Sequence, residues 1–176
     1  IAARIVKTVS TADANPTALT LADLAAYKAE VRDPVCGTYR QYKICGMGPP
    51  SSGGTGVLAM LKQLERFDMK GLGKDNPVSW HLFGESQRLA YADRDQYLAD
   101  SDFVSVPVTG LVDPAYLAGR SQLISEGATM PTALPGTPPG AKAAFARAEP
   151  QNEQGTTHFV TVDRWGSAAS YTSTVE

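Results

Sequence analysis

Two consecutive threonines, Thr156 and Thr157, begin a β-prone segment near the end of the sequence, directly after Gly155. A cut before Thr156 would give that residue a free α-amino group beside its hydroxyl. An α-amino group titrates at about 7.7–8.0, so it can accept a proton near neutral pH. Such a threonine supplies its own general base for nucleophilic attack. Strand threonines selected for β-propensity have the same spacing, and spacing alone favours that structural explanation.

Other catalytic and ligand-binding patterns are weak. His81 and His158 are the only histidines, neither lies in an H-E-x-x-H motif, and two cysteines cannot supply a zinc quartet. We therefore expect no metal and no cofactor. No G-x-S-x-G elbow is present, although a triad assembled in space stays open. The glycine-rich stretch at residues 46–54 lacks the lysine of a P-loop, which predicts a tightly packed turn before a helix.

An acidic cluster lies near the end of the longest predicted helix. Its members are Asp93, Asp95, Asp100 and Asp102. Tyr97 stands where a calcium loop needs an oxygen ligand. The pattern therefore favours a solvated helix end with Arg94 as the counter-charge.

Composition narrows the class of protein further. The chain has 176 residues, which suggests one domain with room for a second small unit. Its net charge of −2 gives no basic field for a nucleic-acid backbone. No apolar run approaches the roughly 18 residues of a membrane span. Because the sequence starts at Ile1 without a methionine or a signal peptide, we expect it to begin after processing or inside a longer chain.

Periodicity and capping residues predict the elements that position these groups. Thr20, with Asp23 three residues later, should begin a helix, and so should Ser79 and the pair Asp113-Pro114. The predicted elements are two helical pieces within 4–31, a hairpin at 35–45, helices at about 55–67, 80–99 and 114–125, a linker or long surface loop at 126–155, and strands at 156–162 and from 167 to the end.

Turn positions predict the register of both hairpins. A turn at Arg40-Gln41 places Cys36 opposite Cys45 in a non-hydrogen-bonded pair, close enough for a disulfide, with two free thiols as an equal alternative. In the last hairpin, Asp163 facing Ser167 sets Thr156 opposite Thr174, and a shift of one residue would replace Thr174 by Ser173. Residues opposed in this way have Cβ atoms about 5 Å apart.

Four motifs in one order resemble the γ-glutamyltransferases, the glutathione hydrolases of the Ntn-hydrolase superfamily. They are residues 49–54 (PPSSGG), residues 64–69 (LERFDM), residues 90–94 (AYADR) followed by Tyr97-Leu98, and residues 156–159 (TTHF). The similarity runs from about residue 17 to the end of the sequence. Four separated motifs with similar gaps are more specific than any one of them.

The resemblance implies an α+β fold, namely part of an Ntn-hydrolase αββα sandwich in which a helix-rich portion precedes a C-terminal β-hairpin. Residues 1–155 would be the C-terminal part of the large subunit, and residues 156–176 the first strands of the small subunit. Family members cut themselves before the threonine that matches Thr156, which then attacks the γ-glutamyl amide. The residue matching Thr174 contacts the nucleophile's hydroxyl. The residue matching Glu176 helps to bind the substrate α-ammonium and is Asn in several members.

The same resemblance sets expectations about partners and location. Substrates would be glutathione or other γ-glutamyl small molecules, acceptors would be amino acids or peptides, and the remaining parts of both subunits would complete the site. The segment alone should be inactive. The opposed cysteines and the family's habit of export predict a periplasmic or secreted protein. Two alternatives stay open: a cephalosporin or glutaryl acylase of the same superfamily, and a non-catalytic structural homologue.

Overall fold

A computed structural model describes residues 1–142 and 155–174. It divides the chain into two units, Ile1–Pro34 and Val35–Glu176. The elements in chain order are α1 (Ala2–Ser10), α2 (Leu21–Ala26), β1 (Val35–Tyr39), β2 (Tyr42–Gly46), α3 (Gly53–Leu64), α4 (Met69–Leu72), α5 (Pro77–Tyr97), α6 (Val108–Leu111), α7 (Pro114–Ser121), β3 (Thr156–Val162) and β4 (Ala168–Thr174). The strands form two antiparallel pairs, β1–β2 and β3–β4.

The first unit contains α1 and α2, and the predicted start of α2 is confirmed. The Thr20 hydroxyl accepts from the Asp23 N–H at 3.2 Å, and the Asp23 carboxylate accepts from the Thr20 N–H at 2.8 Å. This reciprocal pair is a capping box, which satisfies two N–H groups that helix geometry leaves without partners. The bonds from Thr20 also lower the pKa of Asp23.

In the second unit, α3 and α5 form most of the core with α7. The largest cluster of buried apolar side chains consists of Leu64, Phe67, Leu82, Leu89 and Ile124. The predicted tight turn before α3 is present: a Cβ built on Gly54 would lie 2.5 Å from the Met47 carbonyl oxygen. Only glycine therefore lets the start of α3 approach the end of β2 this closely.

The longest helix, α5, begins earlier than the prediction at about residue 80. Asn76 is its N-cap and accepts from the Val78 N–H at 2.9 Å, and Pro77 occupies the first turn. Proline suits this place because it has no N–H to leave unpaired. Ser79 lies inside the first turn instead, where its hydroxyl donates to the Gly73 carbonyl at 2.6 Å. The Asp113-Pro114 start of α7 is confirmed, but the helix ends at Ser121.

The prediction of a solvated acidic cluster is wrong for Asp93, which is 3% exposed. Its carboxylate pairs with Arg120 at 3.0 Å and accepts from the Tyr116 hydroxyl and the Gly136 N–H, both at 2.8 Å. Burial raises the pKa of Asp93, against the opposing influence of the Gly136 N–H and Arg120. Tertiary packing of α5 against α7 encloses a side chain that its local sequence assigns to solvent.

Residues 126–142 and Gly155 are the described parts of the predicted linker, and they contain neither helix nor strand. Residues 126–142 are nevertheless anchored. The Met130 N–H donates to Glu85 at 2.8 Å, and the Leu134 carbonyl accepts from Arg120 at 2.8 Å. Residues 143–154 lie outside the described residues. Within the described ranges, no helix has the length and apolar character needed to cross a membrane.

Candidate functional site

The β3–β4 pair carries the predicted nucleophile, and its register is the one expected from the sequence. Thr156 pairs with Thr174, and the ladder continues to Val162 opposite Ala168. The alternative register, with Ser173 opposite Thr156, is not adopted. Because side chains alternate along a strand, Thr156, His158 and their cross-strand partners share one face.

The turn between the strands explains this register. The Asp163 carboxylate accepts from the N–H groups of Trp165 and Ser167, both at 2.9 Å. The Asp163 N–H also donates to the Ser167 carbonyl at 2.9 Å, which closes the turn. Gly166 has a φ of +86°, a conformation that other residues rarely adopt. A closed turn with this geometry determines which residues face each other along both strands.

Thr156 and Thr174 form the centre of the candidate site. Their Oγ1 atoms are 3.0 Å apart, within hydrogen-bonding distance. Each hydroxyl can donate or accept a hydrogen bond, so Thr174 can orient the Thr156 hydroxyl and accept a hydrogen bond from its proton. Gly155, the residue before Thr156, has a φ of +101°. That backbone conformation disfavours residues with a side chain, and Gly155 adds no Cβ beside its own carbonyl.

His158 lies on the same face, two residues after Thr156. Its Nδ1 is 2.7 Å from the Thr172 hydroxyl, and its Nε2 is 3.4 Å from the Ser170 hydroxyl. Thr172 and Ser170 were not predicted as partners of His158, although the register that pairs Thr156 with Thr174 also pairs His158 with Thr172. His81 is elsewhere, on α5, with Nε2 2.8 Å from the Ser125 carbonyl oxygen.

The opposite face of the hairpin carries an aromatic pair. The Phe159 and Tyr171 rings have centroids 5.4 Å apart, and Thr157 lies on this face, away from Thr156. Glu176, the predicted contact for the substrate α-ammonium, lies outside the described residues. Among the described residues, no group of three or more His, Cys, Asp or Glu side chains could hold a metal ion.

In this arrangement the Thr156 hydroxyl can attack a carbonyl group while the Thr174 hydroxyl lies beside it. The arrangement does not itself contain a separate base next to Thr156 among the described contacts, since His158 bonds to Thr172 and Ser170. The α-amino group that cleavage after Gly155 would create lies on the same residue as the hydroxyl. After such a cleavage, the arrangement would permit acyl transfer by a residue that is both nucleophile and base.

Comparisons with known proteins show which proteins this chain resembles. A family model described as Gamma-glutamyltranspeptidase matches residues 1–176. The glutathione hydrolase proenzyme of Escherichia coli K12 is 39% identical over 157 residues, which cover 89% of this chain and 26% of that protein. The acylase ACY 1 proenzyme of Pseudomonas sp. strain SE83 is 39% identical over 162 residues, which cover 92% of this chain and 27% of that protein. This chain thus spans about a quarter of the length of these relatives.

A solved structure gives the same comparison in three dimensions. The crystal structure of Helicobacter pylori gamma-glutamyltranspeptidase has a TM-score of 0.66 and 41% identity to this chain. The match covers 74% of this chain and 36% of that one. The similarity therefore extends from sequence to the arrangement of helices and strands.

Proposed function

Because the chain belongs to the gamma-glutamyltranspeptidase family, we propose that it is part of a longer enzyme in which Thr156 is the nucleophile after cleavage of the Gly155–Thr156 bond. The observation that carries the proposal is the pair of Thr156 and Thr174 hydroxyls, 3.0 Å apart at the start of β3. The positive φ of Gly155 supports it, because the bond to be cut follows a residue without a side chain.

Self-cleavage uses the Thr156 hydroxyl against the preceding carbonyl. Oγ1 attacks the Gly155 carbonyl carbon, the C–N bond breaks, and the acyl group moves to oxygen while Thr156 gains a free amine. Water then opens the ester, leaving a carboxylate on Gly155 and a new N-terminus on Thr156. The two products are the large and small subunits, with their boundary between residues 155 and 156.

Turnover uses the same oxygen a second time. The new α-amine takes the Thr156 hydroxyl proton, and Oγ1 attacks the γ-glutamyl carbonyl of the substrate. The leaving amine departs with a proton, and a γ-glutamyl ester stays on Thr156. Water completes hydrolysis, whereas the amino group of an amino acid or peptide completes transfer. Thr174 holds the Thr156 hydroxyl in place, and Glu176 binds the substrate α-ammonium.

The rest of the proposal concerns substrate, assembly and location. Substrates are glutathione and other γ-glutamyl small molecules, and the remaining parts of both subunits supply the missing contacts. The β3–β4 pair belongs to an αββα sandwich. This is supported by the exposed apolar side chains on both of its faces, Phe159 and Tyr171 on one and Val160 and Val162 on the other, and by the marginal stability of an isolated strand pair. The protein is periplasmic or secreted, a location that suits the Cys36–Cys45 disulfide.

The test is an activity assay combined with a mass measurement on the full-length protein. We expect release of p-nitroaniline from γ-glutamyl-p-nitroanilide and a new N-terminus at Thr156. A full-length protein that stays as one chain after long incubation would contradict the proposal and favour a non-catalytic homologue.

A second candidate reaction is hydrolysis of a glutaryl or cephalosporin side-chain amide. It is favoured by the acylase ACY 1 proenzyme, which is as identical to this chain as the glutathione hydrolase proenzyme. The same nucleophile would serve, since only the group recognised on the acyl chain differs. Activity on glutaryl-p-nitroanilide without activity on γ-glutamyl-p-nitroanilide would decide for this acylase.

A further inference from the structure

The β1–β2 hairpin carries the Cys36–Cys45 disulfide on its outer face. Cys36 and Cys45 are exposed, whereas the residues that alternate with them along each strand, apart from Tyr42, are partly covered. Gly37 lies on the inner face, against Leu58 of α3. A Cβ built on Gly37 would lie 3.0 Å from the Leu58 side chain. The sulfur atoms therefore lie on the side of the hairpin that does not pack on α3.

The hairpin has other contacts that hold it in place. Its ladder pairs Val35 with Gly46 through Tyr39 with Tyr42. At the tip, the Arg40 N–H donates to Glu65 at 2.8 Å, and the Arg40 guanidinium donates to the Phe67 carbonyl at 3.2 Å. The cross-link joins residues only nine apart that the turn already sets opposite each other, and short loops give a disulfide the least stabilisation. These other contacts do not depend on the bridge, so we expect the hairpin to persist when the bridge opens.

Lys43 gives a positive charge to the face of the hairpin that carries the bridge. Thr38 and Lys43 form the next cross-strand pair on the same face as the bridge, and Lys43 is exposed. The Lys62 ammonium lies 3.5 Å from the Thr38 hydroxyl and also pairs with Glu65 at 2.8 Å. A nearby cation stabilises the cysteine thiolate that leaves during exchange and attracts an incoming anion.

We propose that the Cys36–Cys45 bridge is a thiol–disulfide exchange site for small anionic thiols. A thiolate attacks one Sγ, a mixed disulfide forms, and the Cys36–Cys45 bond breaks with its electron pair on the other cysteine. A second thiolate then removes the first as a symmetric disulfide, so that two thiols are oxidised and the bridge is reduced to two cysteines. Alternatively, the released cysteine attacks the mixed disulfide and restores the bridge. This chemistry involves no atom of Thr156 and is independent of the proposed function.

The experiment measures exchange on the oxidised full-length protein with two probes that contain no γ-glutamyl group. The anionic 2-mercaptoethanesulfonate and the cationic cysteamine are used at equal thiolate concentration, and free thiols are alkylated before peptide mass analysis. We expect a native-state exchange rate within about tenfold of the rate in urea, since both sulfurs are already exposed. Exchange that occurs only at the rate of global unfolding would overturn the proposal. Two alkylated cysteines before any thiol is added, in protein from an oxidising compartment, would also overturn it.

Lys43→Gln tests the preference for anions. It should slow exchange with 2-mercaptoethanesulfonate by roughly two- to fivefold relative to cysteamine, the size of effect expected for one screened surface charge. Lys74→Gln is the matched control, because Lys74 is exposed and lies in the segment before α5 rather than on the hairpin. An unchanged ratio of the two probes in Lys43→Gln would refute the preference for anionic thiols.

Discussion

The proposed nucleophile Thr156 is one of two adjacent threonines that face opposite sides of β3. Only Thr156 lies beside the Thr174 hydroxyl. This difference makes Thr157 a control for every change at Thr156. The two residues are adjacent in the chain, have the same β-propensity and are both exposed, but only Thr156 has the Thr174 hydroxyl beside it.

We expect Thr156→Ala in the full-length protein to give a single uncleaved chain without γ-glutamyl release, because in the proposed mechanism one hydroxyl serves both steps. Thr156→Ser should cleave slowly and turn over less, since the hydroxyl stays while the methyl group that restricts its rotamer is lost. Denaturing gels and the p-nitroanilide assay measure the two steps. Thr157→Ala should mature, and two bands from Thr156→Ala would move the nucleophile to another residue.

Thr174 offers a second residue-scale test. Thr174→Val keeps the shape of the side chain and removes the hydroxyl that lies 3.0 Å from Thr156. We expect kcat to fall by roughly tenfold, the value of about one hydrogen bond. Thr174→Ser should recover most of the loss. If Thr174→Val has the kcat of the unaltered enzyme, the hydroxyl pair does not orient the nucleophile.

At the scale of elements, the junction between β2 and α3 depends on a close backbone approach. A Cβ on Gly54 would lie 2.5 Å from the Met47 carbonyl oxygen, whereas a Cβ on Gly56, also in α3, meets nothing within 4 Å. The two glycines thus lie in the same helix and differ in the space around them.

We expect Gly54→Ala to lower the free energy of unfolding by about 1–3 kcal/mol, the usual cost of overpacking. Gly56→Ala should raise it by up to ~1 kcal/mol, because alanine is the better helix former. Urea unfolding followed by circular dichroism gives both values. Equal effects of the two changes would mean that the close approach of Gly54 to Met47 does not constrain the junction.

At the scale of the whole molecule, buried acids tie the irregular segment at 126–142 to the helices. Glu85, 3% exposed on α5, accepts from the Met130 N–H at 2.8 Å and pairs with Arg88 at 2.7 Å. Burial alone would raise the pKa of Glu85, but these two partners outweigh it and lower the pKa below its usual value. The folded state therefore binds the Glu85 proton less tightly than the unfolded state does.

It follows that Glu85 stabilises the fold above the usual glutamate pKa of about 4.3, and that this contribution is lost as the pH falls through the lowered pKa. We expect Glu85→Gln to cost about 1–2 kcal/mol at neutral pH. The difference should shrink below about pH 4.3. Thermal melts across this pH range measure it. Glu126→Gln, at an exposed glutamate, should stay within about 0.5 kcal/mol of the unaltered protein, and a pH-independent cost of Glu85→Gln would refute the linkage.

Local patterns were sufficient for the features that depend on neighbours in the chain. The capping box at Thr20, the turn that pairs Cys36 with Cys45, and the turn that pairs Thr156 with Thr174 each follow from a few adjacent residues. Once a turn is closed, backbone hydrogen bonding determines every later pair along the two strands. The residues that meet at the candidate nucleophile could therefore be predicted without a three-dimensional structure.

Packing between distant segments decided the rest. By its neighbours in the sequence, Asp93 belongs to a solvated helix end. Its carboxylate is buried and hydrogen-bonded because Arg120 and Tyr116 of α7, and Gly136 after α7, contact it in the fold. Burial depends on what the rest of the chain brings to a residue, and hydrophobic periodicity within one helix carries no information about those partners.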